Sequence, residues 1–126
     1  MGTTSIKSIH LNGKPIILIQ IKVQSNVGEV NANIDVMDPK VILTLEKLTE
    51  QAIQTEVERS ISRLQAMKSD IFDFGDIVHR QQPALWDKVK HDWSESTFTT
   101  LQYDVNVSVN IPLLGMRKNP LIQSVQ

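Results

Sequence analysis

The chain has 126 residues, a formal charge of −1 and no cysteine. That length fits one domain able to bury a core without staples, and the near-neutral charge offers no basic field for neutralising nucleic-acid phosphates. Disulfides, thiolate catalysis and sulfur-ligated zinc are excluded outright.

MGTTSI resembles a myristoylation start, but Ile6 stands where Ser or Thr is required, so Met1-Gly2 reads better as an added start on a domain cut from a longer chain. PIILIQI is the longest apolar run, far short of the ~20 residues that cross a bilayer. TSIKSIHL and KPIILIQIKVQ flank Asn12-Gly13, the dipeptide suited to a two-residue I′ turn, and predict a hairpin. In the strand Ile16 to Gln24, residues Ile17, Ile19, Ile21 and Val23 share the face expected to be buried. Gln20, Lys22 and Gln24 share the other.

SNVGEVNANIDVM has no period and is expected to be irregular. Asp38-Pro39 then supplies an N-cap side chain and a proline suited to the first helical position. The spacing of Val41, Leu45, Leu48, Ala52 or Ile53, Val57, Ile61, Leu64 and Met67 predicts a helix from Pro39 to Lys68 with one apolar stripe. Glu46, Lys47, Glu50, Gln54, Glu58 and Ser62 fall on the opposite side. No strict heptad is sustained, so the helix is expected to lie across a sheet rather than in a coiled coil.

Residues 69–93, SDIFDFGDIVHRQQPALWDKVKHDW, hold five aspartates, two of the three histidines and both tryptophans. Asp70 and Asp76 stand where helix N-caps are expected, Gly75 allows a turn, and Pro83 can open a further helix. Trp86, Val89 and Trp93 then share a face at steps of three and four. All six aromatic residues lie between Phe72 and Tyr103, which predicts an aromatic corner of the core with Trp86 packed inside. The competing reading of the same stretch is a metal or small-ligand site built from Asp76, His79 and His91. That spacing matches neither a metalloprotease helix nor a calcium loop. No nucleophile elbow or phosphate-binding glycine loop is present, no catalytic residues are assigned and no cofactor is expected.

LQYDVNVSVNI alternates throughout: Leu101, Tyr103, Val105, Val107, Val109 and Ile111 on one face, Gln102, Asp104, Asn106, Ser108 and Asn110 on the other. A polar strand face implies a sheet covered by helices on one side only. The last of these sets is therefore the candidate partner surface. Pro112 ends the strand, and PLLGMRKNPLIQSVQ is expected to be irregular or frayed. The whole predicts a single α+β domain over residues 1–126. It comprises an antiparallel or mixed sheet with one long helix and shorter helices, packed mainly on one face.

SDIFDFGDIVHRQQPALW, followed by HDW, Phe98, VNVSVNI and Gly115, resembles the signature of the C-terminal domain of the Ger(x)C family of spore germination lipoproteins. SNVGEVN, DPKVILTLEKL and QTEVERSISRLQAMKSD agree in order and spacing, so the resemblance covers residues 14 to 116. It implies a non-enzymatic subunit of a nutrient germinant receptor. Its partners would be a permease-like membrane subunit and a subunit with a large soluble domain. It also implies a place on the outer face of the spore's inner membrane, through an N-terminal lipid anchor that this chain lacks, so the fragment itself is expected to be soluble. Asp70, Phe72, Phe74, Gly75, His79, Pro83, Trp86 and Trp93 would then be structural residues of the family motif.

Overall fold

The computed structural model describes residues 2–24 and 38–112. The irregular stretch expected after Gln24 and the tail beyond Pro112, Gly115 included, lie outside the described residues. Strands β1 (Gly2–Leu11) and β2 (Lys14–Gln24) form the predicted hairpin. Asn12 and Gly13 take positive φ of 54° and 77°, the pair of left-handed residues that a I′ turn demands. Helix α1 runs Pro39–Ala66, opened by the Asp38 carboxylate, which accepts the Lys40 N–H at 2.9 Å. Two short helices follow, α2 (Phe74–Gln81) and α3 (Pro83–Val89). A 3-10 turn at Lys90–Asp92 and a wide turn at Trp93–Thr97 lead to β3 (Gln102–Asn110). The sheet is mixed, in the order β1-β2-β3, and the fold is α+β.

By internal contacts the chain divides into two units. Within residues 4–20 and 54–106, the buried side chains include Ile17, Ile19, Ile61, Phe74, Ile77, Val78, Leu85, Trp93, Phe98, Leu101 and Val105. Within residues 1–3, 21–53 and 107–126, those buried among the described residues are Ile42, Val107, Val109 and Ile111. The alternation read for β3 holds along its length. Val105, Val107 and Val109 are buried, while Gln102, Asp104, Asn106, Ser108 and Asn110 are exposed.

The face of α1 agrees with expectation at Ile61, which is buried, and at Val41, Leu45, Ile53, Val57 and Leu64, which are half-buried, and departs from it elsewhere. Ile42 and Ile61 are its buried residues, whereas Leu48 and Met67, both placed on the apolar stripe, are 58% and 62% exposed. Glu46, Glu50, Gln54 and Glu58, assigned to the solvent side, are half-buried. The reason is hydrogen bonding to an edge strand. The Glu50 carboxylate accepts the Val109 N–H at 2.9 Å, and the Glu46 carboxylate accepts the Ile111 N–H at 2.8 Å. In the other unit Tyr103 Oη donates to the Glu58 carbonyl at 3.2 Å. Gln65 Nε2 donates to the carbonyls of Phe98 and Leu101 at 3.0 and 2.9 Å. An acidic side chain thus occupies a position that a purely apolar stripe leaves to Val or Leu, because β3 offers unpaired backbone donors there.

The opposite edge is closed by the same chemistry. Gln81, at the end of α2, accepts the Ser8 N–H at 2.7 Å and donates to the Ile6 carbonyl at 3.4 Å. Ser8, the buried polar residue of the described core, donates its hydroxyl to Gln82 Oε1 at 2.5 Å. Both edges carry amide or carboxylate side chains where another strand could otherwise add.

Candidate interaction surface and its supporting corner

The segment from Met67 to Trp93 forms a corner whose geometry follows from a few residues. Helix α1 ends in a Schellman motif: Ser69 N–H donates to the Leu64 carbonyl at 3.0 Å and Lys68 N–H to the Gln65 carbonyl at 3.1 Å. The left-handed position, normally glycine, is Lys68 with φ of 55°. Its ammonium donates to the Glu95 carboxylate at 2.7 Å. That hydrogen bond first, and then the lysine's charge, hold the Glu95 carboxyl below the ordinary glutamate value.

Asp70 organises the start of α2 without being its N-cap residue. Its carboxylate accepts the N–H groups of Phe74 and Gly75, each at 2.8 Å, and the Trp93 indole N–H at 3.0 Å. The N-cap position itself is Asp73, in the left-handed region with φ of 60° and making no side-chain cap. Gly75 serves a close approach rather than a turn. A Cβ on it would stand 2.9 Å from Trp93 Nε1 and 3.3 Å from the Asp70 carboxylate. Glycine is therefore what lets the indole reach its acceptor.

The aromatic corner is present, with its centre moved. Trp93 and Phe98 are buried, but Trp86 is half-buried and lies between two rings. His79 stacks on it at 5.6 Å, and Trp93 meets it edge-on at 5.4 Å. Trp93 continues to Phe98 at 6.2 Å. The expectation of Trp86 packed inside is thus corrected: a wide turn, with Phe98 N–H donating to the Trp93 carbonyl at 2.7 Å, drives Trp93 inward instead. Pro83 stands at the start of α3, as expected. Phe72 is 45% exposed and packs its ring 5.7 Å from that of Phe74.

The proposed ligand set of Asp76, His79 and His91 is not assembled. Asp76 sits in the first turn of α2 and pairs with Arg80 at 2.9 Å, four residues along the same helix, rather than capping it. His79 is engaged with Trp86, and His91 lies exposed in the turn after α3. Among the described residues no group of three His, Cys, Asp or Glu could hold a metal ion. No described helix is long and apolar enough to cross a membrane.

Among the described residues, what remains open is the sheet face turned away from the buried strand residues. Gln102, Asp104, Asn106, Ser108 and Asn110 line β3 there, all exposed. Sequence reading missed the other half of that face. The two-residue turn places Ile9 opposite Ile16 and Lys7 opposite Leu18, on the side of the hairpin opposite the buried Ser8 and Ile17. Ile9 and Leu11 are 39% and 60% exposed, and Ile16 and Leu18 are half-buried. The signal lay in the even positions of KPIILIQIKVQ, where Ile16 and Leu18 interrupt the polar set of Gln20, Lys22 and Gln24.

Comparison with known proteins matches this arrangement to one family. The crystal structure of the GerBC protein superposes with a TM-score of 0.73 at 26% identity, covering 87% of this chain and 34% of that one. Spore germination protein KC of Bacillus subtilis (strain 168) is 29% identical over 110 residues, 87% of this chain and 27% of the relative. Spore germination protein B3 of the same organism is 29% identical over 109 residues, 84% of this chain and 29% of the relative. The chain therefore spans under a third of the length of either curated relative. The profile of the family described as spore germination B3/GerAC like, C-terminal, matches residues 1–115. With that match, the mixed sheet and the long helix on the edge of β3, the chain belongs to the spore germination B3/GerAC-like C-terminal family.

Proposed function

We propose that this domain is a non-catalytic contact module of a germinant receptor lipoprotein subunit, required for nutrient-triggered spore germination. The observation that carries the reading is the uncovered stripe of Gln102, Asp104, Asn106, Ser108 and Asn110, exposed along one face of β3. Polar strand faces in water are common, but this one lies on a family domain that recurs within longer spore germination proteins. The partners are the other receptor subunits, one permease-like and one with a large soluble domain. The complete protein is held on the outer face of the spore's inner membrane by an N-terminal lipid.

Gln102→Lys combined with Asn106→Lys tests the placement of the contact. Each substitution adds a cation to an exposed position without touching the buried Val105 or Val107. In spores carrying the complete protein, nutrient-triggered germination slows while the melting temperature of the domain stays unchanged. Germination at the normal rate, with normal levels of the protein, removes the contact from this stripe.

A further inference from the structure

The uncovered sheet face has an apolar centre that the β3 stripe does not explain. Ile9 and Ile16 face each other across the hairpin, Leu18 lies diagonally from Ile9, and Leu11 continues the row toward the turn. Two lysines on the same face flank this row, Lys7 opposite Leu18 and Lys14 opposite Leu11. Both are exposed, and neither forms an ion pair with a described residue. An apolar centre with unpaired charges at its border is the anatomy of a protein interface.

We propose that, in a polypeptide of its relatives' length, Ile9, Leu11, Ile16 and Leu18 dock against the region preceding this domain in the same chain, on an apolar surface bordered by acids. This goes beyond the receptor-contact reading and does not rest on it. Two observations choose that occupant. The matching family profile is by description C-terminal, so the remaining length of such a polypeptide lies largely ahead of it. This chain covers only 27% and 29% of its curated relatives and 34% of the GerBC chain. Covalent connection raises the effective concentration of such a contact to the millimolar range, enough to hold together a patch too small to bind a free partner tightly. The unpaired Lys7 and Lys14 specify acidic groups at the border.

The 126-residue chain has no cysteine, so labelling there reports an introduced thiol alone; in the longer polypeptide the labelled position is read by peptide mapping. Ile9→Cys and, separately, Leu11→Cys are introduced into the 126-residue chain and into the full-length polypeptide, and alkylation by iodoacetamide is timed in each. Leu48→Cys, on the exposed side of α1, serves as the reference position in both. Labelling at positions 9 and 11 is expected to slow at least tenfold in the full-length polypeptide relative to the reference. Leu11, being mostly exposed, gives a reading even where position 9 disturbs packing. Equal rates in the two polypeptides overturn the proposal. So does slowing in the 126-residue chain that grows with protein concentration, which assigns the face to a second copy. Neither result depends on germination, so this test and that of the β3 stripe fail separately.

Discussion

Three atoms of the corner, the Asp70 carboxylate oxygens and the Trp93 indole nitrogen, decide how α2 starts and where the aromatic core begins. Asp70→Ala removes the acceptor of three donors at once and costs about 2–4 kcal/mol, since each bond to a charged acceptor contributes ~1.5–3 kcal/mol and the site is only partly buried. Gly75→Ala forces a methyl group into the indole that Asp70 holds. It is expected to cost at least ~2 kcal/mol, in the manner of overpacked cores. Urea denaturation measures both. The rings separate by burial: Trp93→Ala costs ~3–5 kcal/mol, and Trp86→Ala, only half-buried between His79 and Trp93, about 1–2 kcal/mol. Lys68→Gly gives the Schellman position its usual residue and stabilises the fold by up to about 1 kcal/mol. It also frees Glu95. Because Lys68 depresses the Glu95 carboxyl, the pair's contribution is present above the ordinary glutamate value and is lost as the pH falls through the depressed one. An NMR titration should therefore show Glu95 moving upward in Lys68→Gly, and the exposed pair itself adding little to stability.

At the scale of elements, what could be read in advance was what local chemistry dictates. Asn12-Gly13 specified the I′ turn, Asp38-Pro39 the start of α1, and strict alternation the buried face of β3. The buried face of α1 was legible only in part, because its acidic border depends on an edge strand far away in the sequence. Glu46, Glu50, Gln54 and Glu58 follow one another at steps of four, a line that looks like a solvated face until β3 presents its free N–H groups. Gly75 was misread for a similar reason: a turn glycine and a close-approach glycine are the same letter. The edge reading carries its own prediction. Glu46→Ala with Glu50→Ala leaves the Val109 and Ile111 N–H groups without acceptors and lowers stability by ~2–4 kcal/mol, at 1–3 kcal/mol for each unsatisfied backbone group. Replacement by glutamine, which keeps a carbonyl acceptor, is expected to restore most of that loss. Equal losses in the alanine and glutamine variants would show that charge, not the edge bond, is what these residues supply.

For the molecule as a whole, the titratable residues between Ser69 and Trp93 that suggested a ligand site are held apart by other contacts. Each member of the set that suggested a metal site has a separate position: Asp76 holds Arg80 along α2, His79 lies flat on Trp86, and His91 points outward from the turn after α3. Drawing them together would break a helical ion pair and strip a ring from the aromatic row. A metal that bound only the folded chain would raise its stability by RT ln(1 + [M]/Kd), about 2.7 kcal/mol at a hundredfold excess over Kd, or several degrees in the melting temperature of a chain this size. We expect zinc at 100 μM, a hundredfold above a micromolar Kd, to leave the melting temperature unchanged. Asp76→Ala should lower stability by no more than the ~0.5 kcal/mol of an exposed i,i+4 pair, with or without zinc. Differential scanning calorimetry decides it. A rise of several degrees with zinc that Asp76→Ala or His91→Ala abolishes would mean that the corner rearranges to bind metal, and the structural account of its aspartates would fail with it.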